Sequence, residues 1–204
     1  MEEFHSALRD LTARDETMMY YFFPHHDSIT VEFRNRRPEL TPKSRGQWFL
    51  RNALQKRFGP LLGRFISRCV PGRGIRDFLI DGNNKSFQVL LNQLHGEASV
   101  PTDQMIRYPH KAGLGSFTFS IWTFPESSFS GVLEEYCRFC RRYYAEHGYR
   151  ADQPSIGYRI SKDTSSLLSH SRHGNVMSID PVSTAAPGWK PFLRAFNELC
   201  SASG

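Results

Sequence analysis

The chain has 204 residues, with 26 Lys and Arg against 20 Asp and Glu, a net charge of +6 and a hydrophobic content of 39%. That length suits one domain or a domain with an arm, and 16 Phe and 8 Tyr supply bulk for a real core. No run approaches the ~20 apolar residues that span a bilayer, and the acidic start MEEFHSALRD is not a secretory leader, so a cytoplasmic protein with no membrane partner is expected.

Residues 2–14 read as a short helical arm with Phe4, Leu8 and Leu11 on one face. The run MMYYFF at 18–23, ended by Pro24, predicts a strand buried on both faces. After the turn HHDS, residues 28–36 alternate Ile29, Val31 and Phe33 against Thr30, Glu32 and Arg34, so the two runs make a hairpin. A linker, RPELTPKSR, leads to a helix over 47–70 that is expected to break at Gly59-Pro60. PGRG at 71–74 stops it, and a second helical piece centres on 87–94 with DGNN as a loop before it. Residues 97–114 read as an irregular connection with a short strand at 104–108.

The stretch 116–182 reads strand, helix, strand, turn, strand. In SFTFSIWTF, Phe117, Phe119 and Ile121 share an apolar face, opposite Ser116, Thr118, Ser120 and Trp122. The following helix is capped by Ser127 or Ser128 and stopped by Gly148, with Val132, Tyr136, Phe139, Cys140 and Tyr143 as its buried stripe and Glu134 paired to Arg138. In PSIGYRIS, Ile156, Tyr158 and Ile160 alternate with Ser155, Gly157, Arg159 and Ser161; NVMSIDPV returns as the third strand. A last helix over 187–202 carries Trp189, Phe192, Leu193, Phe196 and Leu199 on its apolar face. The expected fold class is α+β: a large antiparallel sheet with helices packed on one face and the other face polar and open.

CRFC at 137–140 has CxxC spacing, but no second pair follows at zinc-site distance and the motif lies mid-helix. Reduced, partly buried thiols are the expectation, and no metal site. His25 and His26 mark the hairpin corner, where neighbours on a strand cannot face one metal. The sequence holds no Walker loop, GxGxxG, GxSxG or HExxH, so no catalytic residue is assigned. The Arg clusters at 34–37, 64–76 and 138–142 read as a solvated basic surface or one that meets an acidic partner, ahead of nucleic acid, because no nucleic-acid motif accompanies them. Arg159 is the leading polar candidate: Gly157 leaves space on its face, and a guanidinium fork suits a carboxylate or oxyanion. Asp180, Ser178, Trp122 and Glu32 are expected on the same polar face. The alternative is an internal ion pair from Arg159 to Asp180 or Glu32.

DETMMYYFFPHHDSITVEFRNR resembles the entry to the substrate domain of sugar-lactone and alditol oxidases, with Phe22, Phe23, Pro24 and His25 in the place of that family's aromatic-Pro-His motif. SIGYRISKDTSSLLSHSRHGNVMSIDPV is similar to its Arg-bearing strand, Leu-rich turn and returning strand, and PGWKPFLRAFNELC to its late helix. The resemblance spans most of residues 16–204 and implies the cap domain of a vanillyl-alcohol-oxidase-type, FAD-linked oxidase. It implies that residues 1–204 are a single substrate-binding cap with 1–15 as its arm. FAD is then bound mainly by a domain outside this chain, the open sheet face meets that flavin domain or subunit, and the isolated chain is inactive. Arg159 matches the family's substrate-side arginine, and Trp122, Glu32, Ser178 and Asp180 would shape a pocket for a small hydroxylated substrate oxidised at a CH–OH group. Gly157 stands where the family has an acidic residue, which departs from polyol or lactone chemistry. An uncovered sheet face would also allow a homodimer. The second reading is a non-catalytic interaction module whose basic surface binds an acidic protein or nucleic acid.

Overall fold

The computed structural model describes residues 7–8, 10–13, 17–33, 44–93 and 117–202. In chain order the elements are β1 (Met18–Phe23), β2 (Ser28–Phe33), α1 (Ser44–Ala53), α2 (Gly59–Cys69), α3 (Arg73–Gln93), β3 (Thr118–Phe119), β4 (Trp122–Pro125), α4 (Phe129–His147), β5 (Ser155–Ile160), β6 (Val176–Ile179), β7 (Val182–Ser183) and α5 (Trp189–Ala202). Residues 7–8 and 10–13 are helical ahead of them. Residues 37–43 of the expected linker, the connection at 97–114 with its strand, and Ser116 lie outside the described residues, whereas Ser44 and Arg45, expected in the linker, already belong to α1. The chain forms two compact units: Met1–Asn35 with Phe119–Val182 and Gly188–Gly204, and Arg36–Thr118 with Ser183–Pro187.

The first unit is built on a five-stranded sheet in the order β2-β1-β5-β6-β4, antiparallel throughout. All six residues of β1 are buried, as an unbroken apolar run requires. The hairpin turns through Asp27 at φ 49, a conformation Asp tolerates, and Asp27 is ion-paired to Arg141 of α4.

Cross-strand partners point to the same side of a sheet, so the register sorts the faces. Tyr20 partners Val31 and Gly157, Phe22 partners Ile29 and Ser155, and Arg159 partners Met177, which in turn partners Phe124. Trp122 partners Ile179, two residues along from Met177. This face meets the helices. The Tyr20 and Phe129 ring centroids are 5.7 Å apart, and those of Phe22 and Tyr136 are 5.8 Å apart. Phe139 packs on Phe192 and Phe196 to join α4 to α5. Each large apolar side chain buried here contributes about 1.5–3 kcal/mol.

Three features of the expected pattern are corrected. In β2, Thr30 and Glu32 are buried while Ile29, Val31 and Phe33 are only half-buried. In β5, Ser155 and Gly157 are buried, because rings fill the volume above them: the Tyr136 hydroxyl lies 2.7 Å from Ser155 Oγ, and Tyr20 lies against Gly157. The strand expected at 116–124 is two short pieces, and its apolar parity is outside, with Phe117, Phe119 and Ile121 exposed at 38, 53 and 54%. The other parity is drawn inward by Asn197 of α5, whose Oδ1 accepts from Ser120 Oγ at 3.1 Å and from Trp122 Nε1 at 2.8 Å.

Nor is the second face of the sheet open. Met19, Tyr21 and Phe23 are buried there, together with Thr30, Glu32, Ser178 and Asp180. The surface expected to receive a flavin domain or a second copy is therefore not laid bare at these residues.

α4 starts after Ser128 as expected, but Ser128 does not cap it: its Oγ donates to Pro125 O at 3.2 Å. The helix ends on Gly148 at φ 66, whose N–H donates to Tyr144 O at 2.9 Å. Its i,i+3 ion pair joins Arg138 to Glu135 at 2.8 Å, rather than to Glu134. In the second unit, the helix does not break at Gly59-Pro60. A π-turn over Leu54–Phe58 carries α1 into α2, and Pro60 falls in the first turn of α2, where a missing N–H does no harm. DGNN is not a loop but part of α3, because Asp77, Ile80, Asn84 and Leu91 recur at helical spacing on its buried side.

Candidate functional site

The five residues expected to share a polar face are divided between two faces. Arg159 and Trp122 lie on the side of α4 and α5, whereas Glu32, Ser178 and Asp180 lie on the other. Trp122 is fixed by Asn197. Glu32 is 4% exposed and Ser178 fully buried, with Ser178 Oγ accepting from Tyr158 N at 3.1 Å.

Arg159 is ion-paired, but to neither expected partner. Its Nε donates to Glu126 Oε2 at 2.9 Å and its Nη2 to Oε1 at 3.4 Å, a two-pronged contact with side chains 10% and 25% exposed. Glu126 was not singled out from the sequence. It opens the 3-10 turn Glu126–Ser128 after β4, and its N–H donates to Asn175 O at 3.1 Å, which locks the β4–α4 corner onto the start of β6. The space beside Gly157 is not ligand space either. A Cβ there would collide with the Tyr20 ring and Ser178 O, and the Tyr20 hydroxyl donates to that same carbonyl.

What the corner does offer is a groove of about 970 Å³. Thr123, Glu126, Ser127, Ser130, His170 and His173 line it, together with Leu8 and Thr12 of the N-terminal helical segment and the apolar Pro125 and Val176. Both histidines sit on the turn before β6, which is pinned by Lys162 N donating to Asn175 Oδ1 at 2.9 Å and Ser165 N to Asp163 Oδ1 at 2.8 Å. A volume of this size holds a small organic molecule. The lining pairs one carboxylate, oriented by Arg159, with hydroxyls and imidazoles, a set suited to gripping a hydroxylated ligand. Among the described residues, no three metal-ligating side chains cluster.

Asp180 does not line this groove. It is 3% exposed, and its Oδ1 has no hydrogen-bond partner among the described residues. Burial pushes its carboxyl up to about 7, against a lowering by the Ser178 hydroxyl. Tyr20 is also raised well above the ordinary phenol range, first by burial and then by Asp180.

The cysteines are free. Burial pushes Cys137 up to about 11, Cys200 to about 12 and Cys140 higher still, so these thiols stay protonated and slow. Cys69 is exposed. Titration of the folded chain with a thiol reagent near neutral pH should show one fast cysteine, and Cys69→Ser should abolish the fast phase. A fast phase surviving in that variant would place a reactive thiolate in α4 or α5.

Fold and site together define an α+β protein whose antiparallel sheet is covered by two helices and carries a groove of mixed polar and apolar lining at the β4–α4 corner. Comparison with protein-family models, curated proteins and solved structures returns no match.

Proposed function

We propose that this chain is the substrate-binding cap, or a split subunit, of an FAD-dependent oxidoreductase acting on CH–OH groups, inactive until it meets its flavin-binding partner. The observation that supports this reading is where the resembling stretches lie. They are far apart in sequence, yet in the first unit they are the neighbouring strands β2-β1-β5-β6 together with α5. The groove supplies a place for the substrate. In this reading, Glu126, Ser127 and Ser130 take the substrate's hydroxyls, and Arg159 is a positioning residue that holds the Glu126 carboxylate.

The first unit's own residues do not fit the flavin dinucleotide. A pyrophosphate is cradled by glycines at a helix start. Gly188, at φ 94 before α5, packs against Tyr149, where a Cβ would sit 2.5 Å from the ring. The turn Glu126–Ser128 before α4 has no glycine. FAD is therefore assigned to the partner. Among the described residues no helix is long and apolar enough to cross a membrane. Free cysteines accord with a reducing, cytoplasmic setting.

Glu126→Gln in the native flavin complex should slow substrate-dependent flavin reduction by about 10- to 100-fold, the loss of a charged hydrogen bond, and should also lower the thermal midpoint, because the nearly buried Arg159 guanidinium loses its counter-charge; the rates are therefore compared well below the variant's midpoint. Equal rates would remove the groove from the reading. The second reading, a non-catalytic interaction module, draws on the surface of the second unit.

A further inference from the structure

The helices of the second unit are turned inside out. α2 buries Pro60, Gly63, Ile66 and Ser67, and α3 buries Asp77, Ile80, Asn84 and Leu91. The large apolar residues point outward: Phe58, Leu62 and Phe65 are 64, 48 and 60% exposed, and Ile75, Phe78 and Val89 are 63, 74 and 45% exposed. At ~100° per residue, each trio gathers in a single narrow stripe on the side away from the buried residues. Phe49 of α1 is 75% exposed as well. Isolated surface apolar residues need no explanation, but repeated outward stripes do.

The charge has the same address. Residues 44–93 hold nine Lys and Arg against two Asp, a net +7 in a chain whose total is +6. Arg57, Arg68, Arg73 and Lys85 are exposed, whereas Asp77 is buried and Asp81 half-buried. The accessible surface of these helices thus combines protruding aromatic residues with positive charge. That combination is what amphipathic helices use at an anionic lipid interface, where the headgroup region accepts protruding rings without a shaped groove.

We propose that the outward stripe of α2, with Phe58 just before it, is a peripheral docking surface for an anionic lipid bilayer, with Phe58, Leu62 and Phe65 entering the headgroup boundary and Arg57 and Arg68 meeting lipid phosphates. The surface lies on the bilayer and does not cross it. It departs from the expectation of no membrane partner, which rested on spanning runs rather than on amphipathic faces. It concerns the second unit alone and is independent of the cap reading.

The test is flotation of the full chain with phosphatidylcholine vesicles, with and without about a third phosphatidylserine. At low salt the chain should float with the anionic vesicles and not with the neutral ones, and rising salt should weaken binding. Phe58→Ser with Phe65→Ser should lower partitioning about tenfold or more, with an unchanged circular dichroism spectrum, because both rings are already exposed. Arg57→Gln with Arg68→Gln should flatten the salt dependence. Absence of flotation at low salt overturns the proposal. So does flotation that the Phe variant leaves unchanged, since adsorption would then be purely electrostatic. Binding to duplex DNA or poly-glutamate in place of vesicles also overturns it, as does concentration-dependent self-association that the Phe variant abolishes.

Discussion

Gly157→Ala is expected to cost the first unit about 3 kcal/mol, or to unfold it outright, because the added methyl has nowhere to go. It would overlap the Tyr20 ring and the Ser178 carbonyl. Neither can give way. The carbonyl is backbone, and the ring is held between Phe129 at 5.7 Å and its own hydrogen bond to Ser178 O. Urea titration measures the loss. Gly131→Ala and Gly174→Ala are the controls, since a Cβ at either position meets nothing within 4 Å. Gly131 lies inside α4, where alanine should add up to about 1 kcal/mol. Removing the ring in Tyr20→Ala should make a following Gly157→Ala less harmful but not neutral, because the Ser178 carbonyl would still lie 2.4 Å from the added Cβ. A Gly157→Ala chain of unchanged midpoint would mean that real space exists beside Arg159 and would restore Gly157 to a ligand pocket.

The second large effect concerns Asp180 and pH. Its carboxyl titrates at about 7 in the fold, because it is buried with an oxygen unmatched, and near 3.9 when unfolded. A group whose pKa is raised by folding contributes stability that is fully present below the unfolded value and lost as pH rises through the folded one. The first unit should therefore lose up to about 4 kcal/mol between pH 4 and pH 8 from this one side chain. Asp180→Asn keeps the shape and removes the titration. Its urea midpoint should be nearly flat over that range and should exceed the parent's at pH 8. Parallel pH profiles for the two chains would mean that Asp180 is ionised and matched in the fold.

Features that depend on one stretch of chain were legible. MMYYFF reads as a doubly buried strand because no polar residue interrupts it. Gly148 reads as the end of α4 because the left-handed stop favours glycine, and the stripe of α5 reads from spacing alone. Features that depend on a distant neighbour were not. Alternation in β5 shows that Ser155, Gly157 and Arg159 share a side, but the side that the helices cover is decided by Tyr20 and Tyr136 on other elements. Glu126 is 33 residues from Arg159 and reaches it only because β6 lies between β4 and β5, an order that local patterns do not encode. The same gap explains the second unit. The spacing of Phe58, Leu62 and Phe65 puts them on one side of a helix, yet spacing does not say which way that side faces.

The site thus moves from the sheet face to the corner. Arg159 survives as a residue of interest, but through Glu126, and the groove beside it replaces the cleft expected next to Gly157.

The most direct test of the cap reading is native purification of the natural gene product that carries these residues, followed by denaturation and quantitation of released flavin. The account predicts about one FAD per chain, retained on a flavin-binding domain or subunit that travels with it. A native preparation that keeps its fold and its partners and releases no flavin would contradict it.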